Sequence, residues 1–205
     1  SNLKFYQVDV TEHEEYKKLI TEIGEKHKPI KSFIYTVGVG EPTPIGGISH
    51  EICEKLYRVN VLGFIDGVNS IVPYMEEGSS IIVISSINAY RSEHRMSVYD
   101  STKAALLQYA RTAAADLGKR KIRVNIVAPG YIRTPQTIEE LKNPESKKRI
   151  EKATILGRIG KPEDVSPVVV ALVSDDFKFV TGECIEVSGG LALVQYSPIE
   201  KQRNI

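Results

Sequence analysis

A chain of 205 residues, 41% of them apolar and 26% charged, is long enough for one domain with a substantial core. Its 27 basic and 26 acidic residues interleave to a net charge of +1, which excludes the basic footprint of a nucleic-acid binder and a membrane-surface patch. No apolar run approaches the ~20 residues of a membrane span, the opening Ser1-Asn-Leu-Lys does not read as a signal peptide, and the expected compartment is the cytoplasm.

Leu3 to Val8 reads as a short strand. Thr11 and Glu14 form a capping box ahead of a helical stripe at Tyr16, Leu19, Ile20 and Ile23. After Pro29, Phe33 to Val37 reads as a second strand, followed by a loop rich in glycine and proline from Gly38 to Gly47. Ser49 then caps one long helix reaching Tyr74, with Asn60 near its middle. Ile81 to Ile84 is a third strand, Val98 to Leu117 the next helix with Gly118 as its cap, and Ile122 to Val127 a fourth strand.

From Thr134 to Ile159 the composition turns polar and rich in Lys and Glu, which suits one or two short helices forming a lid. Pro162 can open a helix over Val165 to Val173, although Pro167 removes one backbone bond a turn later. Glu183 to Val187 is the last strand. Strands alternating with helices predict an α/β fold with a doubly wound parallel sheet, in a single domain without internal repeats.

Cys53 and Cys184 lie too far apart in sequence for a CxxC site and are too few for a disulfide framework, so they read as buried thiols. His13, His27, His50 and His94 show no HExxH spacing, and no metal site is expected.

The chemistry concentrates at Tyr99 and Lys103, four residues apart and so on one face of the alanine-rich helix. A neighbouring ammonium favours the phenolate, which would lower a phenol from its free value of ~10 and let it act as general acid or base. With ten tyrosines in the chain, about one such pair is expected by chance, so the context carries the weight. That context is the apolar run ending in Ser85-Ser86, with Ser86 thirteen residues before Tyr99 and its hydroxyl available to hold an oxygen beside the phenol. Ser85 is expected to face the interior.

The sequence resembles the short-chain dehydrogenase/reductase family. The likeness runs through Ile84-Ser85-Ser86, Tyr99-Asp-Ser-Thr-Lys103, Arg123-Val-Asn-Ile-Val-Ala-Pro129-Gly130 with Thr134-Pro135, Gly157-Arg-Ile-Gly-Lys-Pro-Glu-Asp164, and Val180 to Gly190. It implies a Rossmann-like domain over residues 1–205 and hydride transfer between NAD or NADP and a small-molecule secondary alcohol or ketone. By the same resemblance, Lys103 would bond the nicotinamide ribose, and Asn60 would support a water-linked proton route to it. Pro129, Gly130, Ile132 and Thr134 would line the nicotinamide, Gly38 would approach the cofactor, and Asp9 with the Val10 backbone would meet the adenine.

Each residue also has a plainer reading. Tyr99 and Lys103 could be a surface helix pair, the serines a strand end, and Asn60 a local packing group. Residues 129–134 could be a tight turn, and Asp9 ordinary turn chemistry before Thr11. Arg91, His94 and Arg95 could favour an anionic substrate group or be solvated loop charges.

Two departures from the family stand out. The first βαβ portion, with its glycine-rich phosphate turn, is lacking, and Gly38 and Gly40 do not replace it. The expectation is that the sequence is part of a longer enzyme; the alternative is a chain that binds dinucleotide poorly. Second, Tyr35-Thr-Val-Gly38 stands where the family has Asn-Asn-Ala-Gly, which puts local rigidity in question. The resemblance implies a homodimer or homotetramer through helices at 49–74 and 98–117 and the C-terminal strand, with the tail from Leu191 reaching a neighbour. The rival reading is a non-catalytic binding or oligomer partner.

Overall fold

The apolar runs of two central strands organise the molecule. Ile81, Ile82, Val83, Val124, Ile126 and Val127 are all inaccessible to solvent, which requires cover on both faces of the sheet and explains why their sequences are continuous rather than alternating. In this computed structural model, which describes residues 3–191 and Leu193, the strands are β1 (Ile30–Tyr35), β2 (Met75–Ile84), β3 (Arg123–Pro129) and β4 (Cys184–Val187). They form one parallel sheet in the order β1-β2-β3-β4.

Ile81, Val83, Val124 and Ile126 point to one face, where α3 (Gly63–Ile71) contributes Phe64 and Val68 and α4 (Ser97–Leu117) contributes Leu106 and Ala110. Ile82 and Val127 point to the other, under Val169 and Leu172 of α7 (Pro162–Val173). Helix α1 (His13–His27) packs on α3, where Gly67 admits the Tyr16 hydroxyl and the Phe33 ring. The chain is thus an α/β, doubly wound, Rossmann-like fold, as the alternation of elements predicts.

Several local expectations need correction. Residues 3–8 form no strand, and Leu3 and Phe5 stand 74% and 90% exposed. A strand exists only against a neighbour, and among the described residues none lies beside this segment. The capping box at Thr11 does not form either. Thr11 donates its backbone N–H and its hydroxyl to Asp9 Oδ1, at 2.9 and 2.8 Å, and α1 starts at His13 with no side-chain cap.

The helix expected at 49–74 is present, but it is not regular throughout. Ser49 does cap it, accepting from the Ile52 N–H at 3.2 Å. After α2 (His50–Tyr57), however, the chain makes a π-helical turn over Arg58–Leu62 before α3 begins. Gly118 does take the C-cap position of α4, with right-handed backbone, and opens a single 3-10 turn in which the left-handed residue is Lys121. The lid holds two short helices, α5 (Ile138–Leu141) and α6 (Pro144–Ala153), within the one-or-two expected. The tail beyond Leu193 lies outside the described residues.

Candidate active site

In a parallel α/β sheet the loops leaving the carboxyl ends of the strands converge, and ligands bind there. Here the loops after β1, β2 and β3 supply Gly38, Ser86 and residues 129–134, while the first two turns of α4 supply Tyr99 and Lys103.

The Ser86 hydroxyl accepts from the Asn88 N–H at 3.1 Å, which fixes its direction, and it lies near enough to the Tyr99 phenol to pull its pKa down. Lys103 is only 4% exposed, and its Nζ donates to the Ile84 carbonyl at 3.2 Å while standing 5.5 Å from the Tyr99 ring centre. Phenol, hydroxyl and ammonium therefore share one small site. Ser85 faces inward, donating to the Lys103 carbonyl at 3.0 Å.

The expected lowering of the phenol is not found. Burial raises Tyr99 above its ordinary value; the nearby Ser86 hydroxyl opposes this, and the carboxylates of Glu93 and Asp100 raise it further. Burial also lowers Lys103 to about 8. The ammonium stands 5.5 Å from the ring centre, and burial rather than this cation decides the direction of the phenol's shift. Sequence spacing reports proximity but not solvent access, and access decides the sign here. The charges the phenol feels from the 91–100 stretch are acidic; Arg91, His94 and Arg95 remain exposed.

Asn60 is fully buried within the π turn. Its Oδ1 accepts from the Val39 N–H at 2.8 Å, and its Nδ2 donates to the Val39 carbonyl and to Thr102 Oγ1, both at 2.9 Å. It clamps the loop after β1 against α4. Gly38 completes this corner: a Cβ there would lie 3.1 Å from Lys103 Nζ and 3.5 Å from Asn60 Oδ1.

Pro129 ends β3 opposite Val187, and the Gly130 N–H donates to the Val187 carbonyl at 3.0 Å. A Cβ on Gly130 would come within 2.8 Å of the Ser188 backbone. Ile132 bridges to Gly160, and Thr137 Oγ1 donates to the Ile132 carbonyl at 2.7 Å and accepts from the Thr134 N–H at 3.0 Å. This is a tied turn at the foot of the lid. Asp9 is exposed and engaged in its own turn with Thr11, whose bonds hold its carboxyl below the usual value. The Val10 side chain packs against Gly63 at the start of α3.

Three participants escaped the sequence reading. Gln136 reaches across Gly40, where a Cβ would lie 2.8 Å from its Nε2 and 3.2 Å from the Tyr99 ring; nothing in the sequence marks it. Thr102 receives Asn60, and its polarity within a buried stripe was a usable signal. Tyr35, singled out in the sequence only as a departure, donates to the Val59 carbonyl at 2.6 Å and so ties the end of β1 to the π turn.

These residues suit the nicotinamide end of a dinucleotide. The glycine face at residue 38 leaves the buried ammonium reachable, and its spare donors match sugar hydroxyls. Among the described residues no glycine-rich turn joins a strand directly to a helix N-terminus, so a pyrophosphate cradle is not part of this corner.

Comparison with known proteins agrees with this architecture. A family model described as Enoyl-(Acyl carrier protein) reductase matches residues 1–192. The 3-oxoacyl-(acyl-carrier-protein) reductase FabG of Thermotoga maritima is 32% identical over 191 residues, covering 92% of this chain and 76% of that protein. The ligand-free aldohexose dehydrogenase of Thermoplasma acidophilum superposes with a TM-score of 0.89 at 26% identity, over 96% of this chain and 82% of that one. ElxO with NADP bound gives 0.86 at 26% identity, over 93% and 78%.

Proposed function

The chain belongs to the short-chain dehydrogenase/reductase family, and we propose that it moves a hydride between NAD or NADP and a secondary alcohol or ketone, with Tyr99 as the proton carrier. The single observation that carries this reading is the convergence of the Ser86 hydroxyl and the Tyr99 phenol with the Lys103 ammonium 5.5 Å from the ring centre. When bound, the nicotinamide supplies or accepts the hydride.

The chain's own residues do the rest. In the reductive direction Ser86 orients the carbonyl oxygen, and Tyr99 gives it a proton from its hydroxyl. The phenolate left behind is stabilised by Ser86 and by Lys103 while the lysine is charged. Lys103 also holds the nicotinamide ribose, residues Pro129, Gly130, Ile132 and Thr134 line the ring, Gly38 gives it room, Asn60 keeps this corner shaped, and Asp9 with Val10 meets the adenine. A phenol raised by burial stays protonated at neutral pH, which favours reduction over oxidation there.

The test is an assay of NADH and NADPH consumption against a panel of ketones, sugars and 3-oxoacyl thioesters. Turnover of at least one is expected, and no consumption of either nucleotide with any of them contradicts the reading. The pH profile adds a second expectation. Lys103 carries its proton below about 8 and loses it above, so kcat/KM for reduction is level at neutral pH and falls through about 8.

The proposal extends to a cytoplasmic enzyme in which residues 1–205 belong to one Rossmann-like domain and which acts as a homodimer or homotetramer through the helices at 49–74 and 98–117. Light scattering at micromolar concentration is expected to give a dimer or tetramer mass; a monomer mass contradicts it.

A further inference from the structure

In an α-helix the N–H of residue 63 would return to the carbonyl of residue 59. In the π turn it does not: the Gly63 N–H bonds the Arg58 carbonyl, stepping over Val59. The Val59 carbonyl accepts instead from the Tyr35 hydroxyl, which arrives from the end of β1 at 2.6 Å. Gly63 makes the approach possible, because a Cβ there would stand 2.4 Å from that hydroxyl. Tyr35 is 2% exposed, and its ring packs 5.4 Å from Phe64.

The turn so held contains Asn60, whose amide grips both polar groups of Val39, and the adjoining Gly38 faces the Lys103 ammonium. The geometry points to Tyr35 as a positioning residue: its hydroxyl, seated in the space Gly63 leaves, holds the π turn open so that Asn60 fixes the loop over Lys103. This rests on the reading of the Tyr99 corner as a catalytic site. It gives the departure at Tyr35 from the family pattern a task. A regular helical turn at 58–62 would return Val59 to Gly63, leave the buried phenol without an acceptor, and turn Asn60 away from Val39.

The experiment compares Tyr35→Phe with Tyr16→Phe, a second buried tyrosine whose hydroxyl lies against Gly67 of α3. Exchange of the Val39 amide and the Asn60 side-chain amide is followed by NMR, together with the titration of Lys103. In Tyr35→Phe both amides are expected to exchange about tenfold faster or more, as loss of one hydrogen bond allows. Lys103 should rise from about 8 toward its ordinary value as the loosened loop admits water. In Tyr16→Phe all three should match the wild type even if melting falls.

Gly63→Ala reaches the same bond from the opposite side, by pushing the hydroxyl off Val59 while favouring helix, and it serves if Tyr35→Phe does not fold. Unchanged exchange in Tyr35→Phe or Gly63→Ala, or equal loosening in Tyr16→Phe, overturns the assignment. A wild type inactive with every carbonyl overturns the oxidoreductase reading, and the exchange comparison still decides this one.

Discussion

Tyr99→Phe is expected to lower reductive turnover by about 10²- to 10⁴-fold, the range of a positioned proton donor, with little change in nucleotide affinity. The substitution removes one oxygen and keeps the half-buried ring, so Lys103 retains its ring contact and the Ser86–Asn88 turn keeps its bond. Ser86 alone cannot replace the donor: a serine hydroxyl can orient the carbonyl but gives up a proton far less readily than a phenol. Stopped-flow or steady-state nicotinamide consumption measures the loss. A variant with wild-type kcat would remove Tyr99 from the proton path.

Lys103→Met is expected to move stability and activity in opposite directions. Burial lowers this lysine from 10.5 to about 8, so below pH 8 the folded chain holds an ammonium it would rather expose. At about 1.4 kcal/mol per tenfold, that is a cost of about 3 kcal/mol. The sign follows from proton counts. Between about 8 and 10.5 the unfolded chain binds the proton and the folded chain does not, so stability rises with pH across that window.

Methionine fills the volume with no charge to desolvate. It forfeits the bond from Nζ to the Ile84 carbonyl, so the expected net gain at neutral pH is about 1–2 kcal/mol. The rise of stability between pH 8 and 10.5 should flatten in the variant. Turnover should meanwhile drop about 10²-fold, because the phenolate formed by Tyr99 loses its neighbouring cation. Chemical denaturation at several pH values and the same kinetic assay read the two effects. A clear loss of stability at pH 7 would show the ammonium to be better solvated than its burial implies.

The sequence makes the Tyr99–Lys103 pair and Ser86 legible because helical spacing and the end of an apolar run are local properties. The alternation of strands and helices is legible for the same reason, and so are the short helices of the polar segment 134–159 and the helix opened by Pro162. What escapes the sequence depends on contacts made at long range. Arg58-Val-Asn-Val-Leu62 carries no local mark of a π turn; the turn depends on a hydroxyl from residue 35. Leu3 to Val8 alternates acceptably for a strand, yet pairing needs a neighbour that local pattern cannot supply. Thr11 has the chemistry of a cap and is diverted by Asp9 two residues earlier. The direction of the Tyr99 shift is set by how α4, Glu93 and Asp100 enclose the ring, which is tertiary information.

The most direct measurement is a fluorescence titration of the protein with NADH and with NADPH, since every proposed role at this corner presupposes a nicotinamide beside Lys103. Saturable binding of at least one nucleotide is expected, weakened in Gly38→Val, whose side chain would occupy the space facing the ammonium. A flat titration with both nucleotides would contradict the account and favour a non-catalytic binding role.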